Sequence, residues 1–559
     1  MPRNAICKLS GIPFEIRDED LLFYEKISPI IRGKKEVIPP PVLCPEERER
    51  RRLAFRNERI LYRRKSNLSG AEIISFFHTD TPFVVYSHKE WWSDDWDALT
   101  YGRAFDFTCS FFSQFQNLQR AVPRAPLVNN NAVNAEFCNF SDDNKNCYLI
   151  TSANYNEDSY FGFCAVKNRN AVDFLWCTDC ELVYECIDCR KCYDLKYAQD
   201  CDDCHGSAYL ADCRGVSDSL LCIGIRQKKN WLLNKPSSAE EIARLKNEMR
   251  GSETKRREMA QKFEDLKRAH AIRIAATAIG CENVTGNNLF DSRNIHRGFD
   301  VYSSRDCAYL HDGLGATDCF DVSFFDGTEL CYESTSLMGY GYRFTMYCRD
   351  SRDLFYCDSC HSCEDCFGCV GLRRKKYCIL NRQYSQHEYE MILPKIIDHM
   401  RKTNEWGEFF PIDLSPFAYN ETLAQEYFPL ANNEIISRGW KWHEPSEENQ
   451  TMHRTIPASK LPDLTDTIPN DILNWALECE ATKRPYKIIR QELEFYRNMG
   501  LPIPHLHPNE RHRRRLVLRN PRKLWKRNCA KCSKEMQTTY APGREESVLC
   551  ETCYLKEVY

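Results

Sequence analysis

The chain has 559 residues, 31 of them cysteine, and a formal net charge of -3. That length exceeds what one hydrophobic core supports and predicts three or more domains. No run of about 18 apolar residues is present, and "MPRNAICKLSGIPFEIRDED" carries charges where a secretory leader needs an apolar stretch, which excludes a membrane-spanning helix and predicts a soluble, non-exported, cytoplasmic protein. In a reducing compartment its cysteines are metal ligands or small buried hydrophobes, not a disulfide framework.

Residues 1–98 read as one module, and residues 471–559 as a second copy of it. "VLCPEERERRRLAFRNERILYRRKSNLSGAEI" aligns without gaps on "HLHPNERHRRRLVLRNPRKLWKRNCAKCSKEM", which puts Arg56 on Arg519, Asn57 on Asn520 and Leu61 on Leu524. Upstream, "CKLSGIPFEIRDEDLLFYEKI" from Cys7 matches "CEATKRPYKIIRQELEFYRNM" from Cys479.

A connector (99–137) leads to a Cys-rich repeat over 138–235, repeated again over 281–383. "CIGIRQKKNWLLNKPSSAEE" from Cys222 matches "CVGLRRKKYCILNRQYSQHE" from Cys369, and "ELVYEC" (181–186) matches "ELCYES" (329–334). Each copy is a string of short units such as "NKNCYLI", "NEDSYFGF", "SRDCAYL" and "ATDCFDV", in which Asn, Asp, Ser or Gly separate apolar residues. Strands this short bury a face only by stacking on their neighbours, so each copy is expected to be a parallel β-solenoid or β-helix-like stack. Between the copies, 236–280 holds a two-helix insertion with a Ser cap ahead of Glu240 and Glu241 and a break at Gly251. A helix over 385–402 opens the segment 384–470. The expected fold class is mainly β with α insertions: two β-solenoid repeats flanked by duplicated zinc-ribbon or treble-clef-like end modules.

The stretch "CDSCHSCEDCFGC" (357–369) spaces five cysteines by three. Aligning the copies puts Cys357 on Leu210, Cys363 on Val216 and Cys366 on Ser219. A position that accepts Leu, Val or Ser is a packing position, and a metal site does not survive such exchange. A zinc site in the second copy alone, an iron-sulfur cluster and a redox role are the alternatives; the run lacks the longer final spacing and the proline of ferredoxin-type clusters, and acidic neighbours disfavour a thiolate.

The specific signal is C-terminal: Cys529 and Cys532, then 17 residues, then Cys550 and Cys553. Two C-x2-C pairs around a hairpin are the pattern of a zinc ribbon or treble clef, and predict one bound Zn2+. The N-terminal copy carries Ser66, Ser69, Ser87 and Glu90 at these positions, so it is expected to be metal-free and held by packing of Trp91, Trp92 and Trp96. The other half of each module keeps Cys7 and Cys44 beside Ser10 and Glu47, and Cys479 and His507 beside Thr482 and Glu510, candidates for weak metal binding.

"RNPRKLWKRNCAKC", "YAPGREESVLCETCYLKEVY", "GLRRKKYCILNRQYS" and "EWGEFFPIDLSPFAYNETLAQEYFPL" resemble an uncharacterised family of cysteine-rich zinc-ribbon proteins of candidate-phyla bacteria, over nearly the whole chain. The resemblance implies zinc binding and a cytoplasmic setting, with no activity. By the family pattern, cysteine is expected where this chain has Ser10, Glu47, Ser66, Ser69, Ser87 and Glu90.

Charge is segregated. "RERRRLAFRNERILYRRK" (48–65) and "RHRRRLVLRNPRKLWKR" (511–527) are strongly basic, whereas residues 281–370 hold 15 acidic and 6 basic side chains. Ends and middle are therefore expected to face different partners, or each other. Arg50, Arg51, Arg52, Arg56, Arg59, Arg513, Arg514, Arg515, Arg519 and Lys523 form a candidate nucleic-acid surface, with Tyr62 and Trp525 placed to stack on bases. The alternative is that these arginines pair with the acidic repeat. No nucleophile elbow, P-loop, HExxH or strand-placed GxGxxG occurs, and His296, His311, His361 and His399 are scattered. The leading expectation is a zinc-binding, non-enzymatic scaffold whose basic modules bind RNA or a ribonucleoprotein. A protein-binding scaffold using the acidic repeat face comes next, and an enzyme in a solenoid groove last.

Overall fold

The computed structural model describes residues 3–270, 272–444 and 454–559. It is mainly β, 34% strand against 26% helix, and is dominated by two long sheets. The first has 11 strands and runs from Asn129–Asn130 to Lys235–Pro236; the second has 10 and runs from Ala278–Ile279 to Arg382–Gln383. Within each, consecutive strands pair in parallel, as in Ala171↔Val183↔Leu195↔Ser207, a displacement of 12 residues repeated along the stack. Each stack ends in a short antiparallel hairpin followed by a Ser-capped helix, Ser238 before Ala239–Met249 and Ser385 before Gln386–Lys402. The two-helix insertion comprises Ala239–Met249 and Glu253–Ala269, with Gly251 between them at φ +67°.

The alternation of apolar residues suggested by the sequence has an inner period of three. Trp176, Asp179, Leu182, Glu185, Asp188 and Lys191 all have φ between 47° and 57°. The residue after each, namely Cys177, Cys180, Val183, Cys186, Cys189 and Cys192, is buried in one continuous cluster. The abundant Asn and Asp now have a physical reason, because they enter the left-handed region most readily after glycine. Bulkier residues such as Trp176 and Leu182 are held there at a cost of about 1 kcal/mol each by hydrogen bonds to the strands above and below. Packing between neighbouring strands is tight: Phe174 pairs with Gly162, whose added Cβ would lie 2.4 Å from the Phe174 ring.

The end modules have matching elements. Helix Pro45–Leu53, hairpin Tyr62–Lys65/Glu72–Ser75 and helix His88–Trp92 correspond to helix Pro508–Val517, hairpin Trp525–Asn528/Glu535–Thr538 and helix Glu551–Val558. Each module packs on the repeat distant from it in sequence. Phe23, Tyr24 and Ile27 of the N-terminal module share a core with Phe320 and Tyr332 of the second repeat. Leu493, Phe495 and Tyr496 of the C-terminal module share one with Tyr160, Val172 and Tyr184 of the first. The modules also touch each other, through Arg59 to Asn509 (3.2 Å) and Arg522 to Glu49 (3.3 Å). The molecule thus has an internal approximate twofold relation.

Candidate metal centre and the basic segments

Four sulfurs meet at the C-terminus. Cys529 and Cys532 flank the turn joining Trp525–Asn528 to Glu535–Thr538, where Ser533 takes φ +59° and donates its N–H to the Cys529 carbonyl. Cys550 stands at the N-terminus of helix Glu551–Val558, and Cys553 lies in its first turn. All four Sγ atoms lie within 4.8 Å of one another, and Cys532 and Cys550 are 3.7 Å apart. Tetrahedral ligation with metal–sulfur bonds near 2.3 Å requires sulfur separations of about 3.8 Å, so the donor set fits a metal ion. Although burial raises the Cys529 thiol, the N–H groups of Cys532, Cys550 and Lys531 bring it down to about 6, toward the thiolate a metal needs.

The equivalent N-terminal position is tied by a carboxylate. Glu90 accepts from the Ser66 hydroxyl (2.5 Å) and the Ser87 N–H (2.7 Å). Burial raises its carboxyl, but hydrogen bonds from Ser66, Ser69 and Ser87 hold it down at about 2. Trp91 is buried and donates to the Pro123 carbonyl, Trp96 donates to the Trp91 carbonyl, and Trp92 stays 40% exposed.

Among the described residues the C-terminal four form the only group of three or more metal-ligating side chains. At the other expected positions the structure brings Cys7 and Cys44 together without a third ligand beside them. Ser10 stands 3.8 Å from the Cys44 sulfur in place of a ligand, and Glu47 is engaged by Arg50. His507 caps its helix, accepting from the Asn509 N–H, and Glu510 is engaged by Arg513 and Arg514.

The "CDSCHSCEDCFGC" cysteines are wall residues. Cys357, Cys360, Cys363, Cys366 and Cys369 are at most 2% exposed. Their thiols point at carbonyls one rung away: Cys357 to Cys366 O, Cys360 to Cys369 O and Cys369 to Cys378 O, each at 3.5 Å. Ser351 makes the same contact to Cys360 O at 3.5 Å. Cys360→Ser is accordingly expected to shift stability by about 1 kcal/mol or less, while Cys360→Leu overfills the interior and costs about 1–3 kcal/mol; thermal denaturation of the two variants checks this ordering.

The basic segments are spent inside the molecule, which corrects the exposed basic face. Arg48 meets Asp321 at 2.9 Å, and Arg52 approaches both Asp321 (3.5 Å) and Glu333 (3.9 Å). Arg51 spans Glu333 (2.6 Å) and Glu408 (2.8 Å). At the equivalent place in the C-terminal module, Arg511 pairs with Asp173, and Arg515 pairs with Asp173 (2.8 Å) and Glu185 (3.0 Å). Arg519 joins Asp188 of the first repeat to Asp300 of the second, over the Trp176 ring at 3.6 Å. Arg56, its counterpart, joins Ser152 to Ser336 over Phe324 at 3.7 Å and carries Glu58 as its charge partner. Arg50 lies against Glu47, and Arg59 is 3.8 Å from Glu426. Of the ten cations proposed for nucleic acid, Arg513, Arg514 and Lys523 remain exposed, and the first two are held by Glu510. Tyr62 donates to Glu421, and Trp525 lies beneath Lys523. The acidic partners Asp173, Glu185, Asp188, Asp321 and Glu333 went unidentified in the sequence, although the match of "ELVYEC" to "ELCYES" retains Glu185 and Glu333 in register.

No helix among the described residues is long and apolar enough to cross a membrane. No protein-family model matches the chain, and no curated protein is similar to it at a significant level.

Proposed function

We propose that the protein is a zinc-stabilised, non-enzymatic scaffold in which two β-solenoids of 12 residues per turn are locked together by the end modules acting as internal clamps. The observation that carries the zinc reading is the convergence of Cys529, Cys532, Cys550 and Cys553. Four thiol donors on a knuckle and a helix N-terminus suit structural zinc, which closes its coordination sphere with protein sulfur and leaves no open position for a substrate. The solenoid reading rests on the left-handed residue at every third position and on parallel bridges along further legs of the turn, such as Val166↔Thr178↔Arg190↔Asp202. The scaffold reading rests on the arginines, which satisfy the acidic residues of the repeats instead of facing solvent.

The test is zinc released per chain on thiol modification of protein purified without added metal. About one equivalent is expected, and none from the Cys532→Ser, Cys553→Ser variant. Visible iron absorbance or three or more zincs would overturn the reading.

An RNA footprint on the basic segments would rest on the cations that stay exposed, Arg63, Lys65, Arg513, Arg514, Lys523 and Lys526. Electrophoretic mobility with single-stranded RNA is expected to show no complex at physiological salt. A complex with a steep salt dependence, weakened by Arg513→Ala and Arg514→Ala, would restore the RNA reading.

A further inference from the structure

The two repeats face each other across a cleft, and near its middle lies a cavity of about 590 Å³ lined by both repeats and the N-terminal module. Most of the charge there is neutralised: Arg349 of the second repeat pairs with Asp142 of the first at 2.5 Å, and Trp176 donates its indole N–H to Asp312. Two lining charges, both exposed, have no ion pair or side-chain hydrogen bond among the described residues: Asp326 and Lys167.

Asp326 also sits where the internal symmetry breaks. Through the first repeat the register stays at 12 residues, and Thr178, the counterpart of Asp326, is bridged on both sides to Val166 and Arg190. In the second repeat the register shifts between Phe325 and Thr328, so Asp326 pairs with Leu314 on one side and leaves the ladder on the other. Bulges of this kind re-aim a side chain and gather beside functional sites. The side chain re-aimed here is an exposed, unpartnered carboxylate; its partial desolvation raises its pKa, with Arg349 opposing and the Asp142 carboxylate adding to the shift. Aromatic side chains line the cavity: Tyr302, on the strand next to Leu314, with Phe140, Trp176, Phe324 and Trp92. The adjoining cavity, about 1080 Å³, carries more charged side chains, among them the ion-paired Asp188, Arg519 and Arg522, beside Phe290, Phe299, Tyr302 and Tyr540.

We propose that the cleft binds a small organic cation, an ammonium on an aromatic or apolar body, with the charge held by Asp326 and the body by the aromatic walls. A carboxylate in a partly desolvated aromatic site favours an ammonium through ion pairing and cation–π attraction together, and it rejects the neutral isostere. This site does not depend on zinc, so its failure leaves the scaffold reading intact.

The experiment titrates the full-length protein with 2-phenylethylamine and with the neutral 2-phenylethanol, following tryptophan fluorescence. The amine is expected to bind at least about tenfold more tightly than the alcohol. Asp326→Asn is expected to abolish that preference with unchanged melting temperature, and Lys167→Met is expected to leave amine binding within about twofold. Equal binding of the two probes, no binding of the amine, or an unchanged preference in Asp326→Asn would each overturn the proposal.

Discussion

Chelating the metal from the intact chain is expected to unfold the C-terminal ribbon and leave both repeats standing. The ribbon's own apolar cluster is small, Cys529, Leu549 and Tyr554 with Ile274, Met536 and Val558 packed against it. A piece of this size does not fold on such a core, and zinc contributes about 10–16 kcal/mol in comparable isolated units. Its attachments to the rest of the molecule are few. Ser547–Leu549 pairs with Ile272–Ile274, and Tyr554 hydrogen bonds to Asp212 and Arg226. Amide hydrogen exchange resolves the result by position: protection at Cys529, Ala530 and Tyr554 should fall by a factor on the order of 10³, while Thr178 and Arg190 in the first repeat keep theirs. Uniform loss of protection would mean that the metal holds the whole molecule, and no loss would mean that the four thiols are structurally idle.

The second large effect is expected at the clamps. Arg52→Leu leaves the fully buried Asp321 to Arg48 and Glu333 to Arg51, and Arg515→Leu leaves the buried Asp173 to Arg511, so each carboxylate loses one of two counter-charges. Stranding a buried charge completely costs about 3–5 kcal/mol, and losing one of two charged hydrogen-bond partners is expected to cost about 1.5–3 kcal/mol. Arg513→Leu is the control. Its own side chain is 63% accessible, and although Glu510 is only 7% accessible, Arg514 stays on that carboxylate, so the loss is expected to be about 1 kcal/mol or less. Guanidinium denaturation should therefore separate neighbouring arginines of one short helix by about 1 kcal/mol or more. If Arg513→Leu and Arg515→Leu cost the same, the helix is not held by its buried face.

What the sequence made legible was mostly local. The four C-terminal cysteines could be identified because zinc ligation fixes short spacings on a knuckle and a helix end. The two-helix insertion could be placed because caps at Ser238 and Ser252 and a glycine break are signals within one turn of chain. Both duplications emerged by comparing the chain with itself, and that comparison also identified the cysteines of 357–369 as packing residues. The three-residue inner period was hidden for a physical reason. Asn and Asp serve both as turn residues between strands and as left-handed residues within a continuous stack, and composition does not distinguish the two. Pairing of these arginines with the acidic repeat was open in the sequence as the alternative, but the individual partners were hidden by distance. Arg511 and Asp173 are 338 positions apart, so nothing local joins them. The basic runs consequently suggested a surface for phosphates. The spacing of Arg48 and Arg52, matched by Arg511 and Arg515, was a signal within reach, since residues four apart share one helix face, and here that face is the buried one.

The central claim, that the basic modules exist to hold the acidic repeats, is tested most directly by a double-mutant cycle on Arg515 and Asp173, using Arg515→Met, Asp173→Asn and the double variant in equilibrium denaturation. The account predicts a coupling free energy of about 2 kcal/mol or more, with the double variant markedly less damaged than the sum of the single ones. A coupling indistinguishable from zero would contradict it.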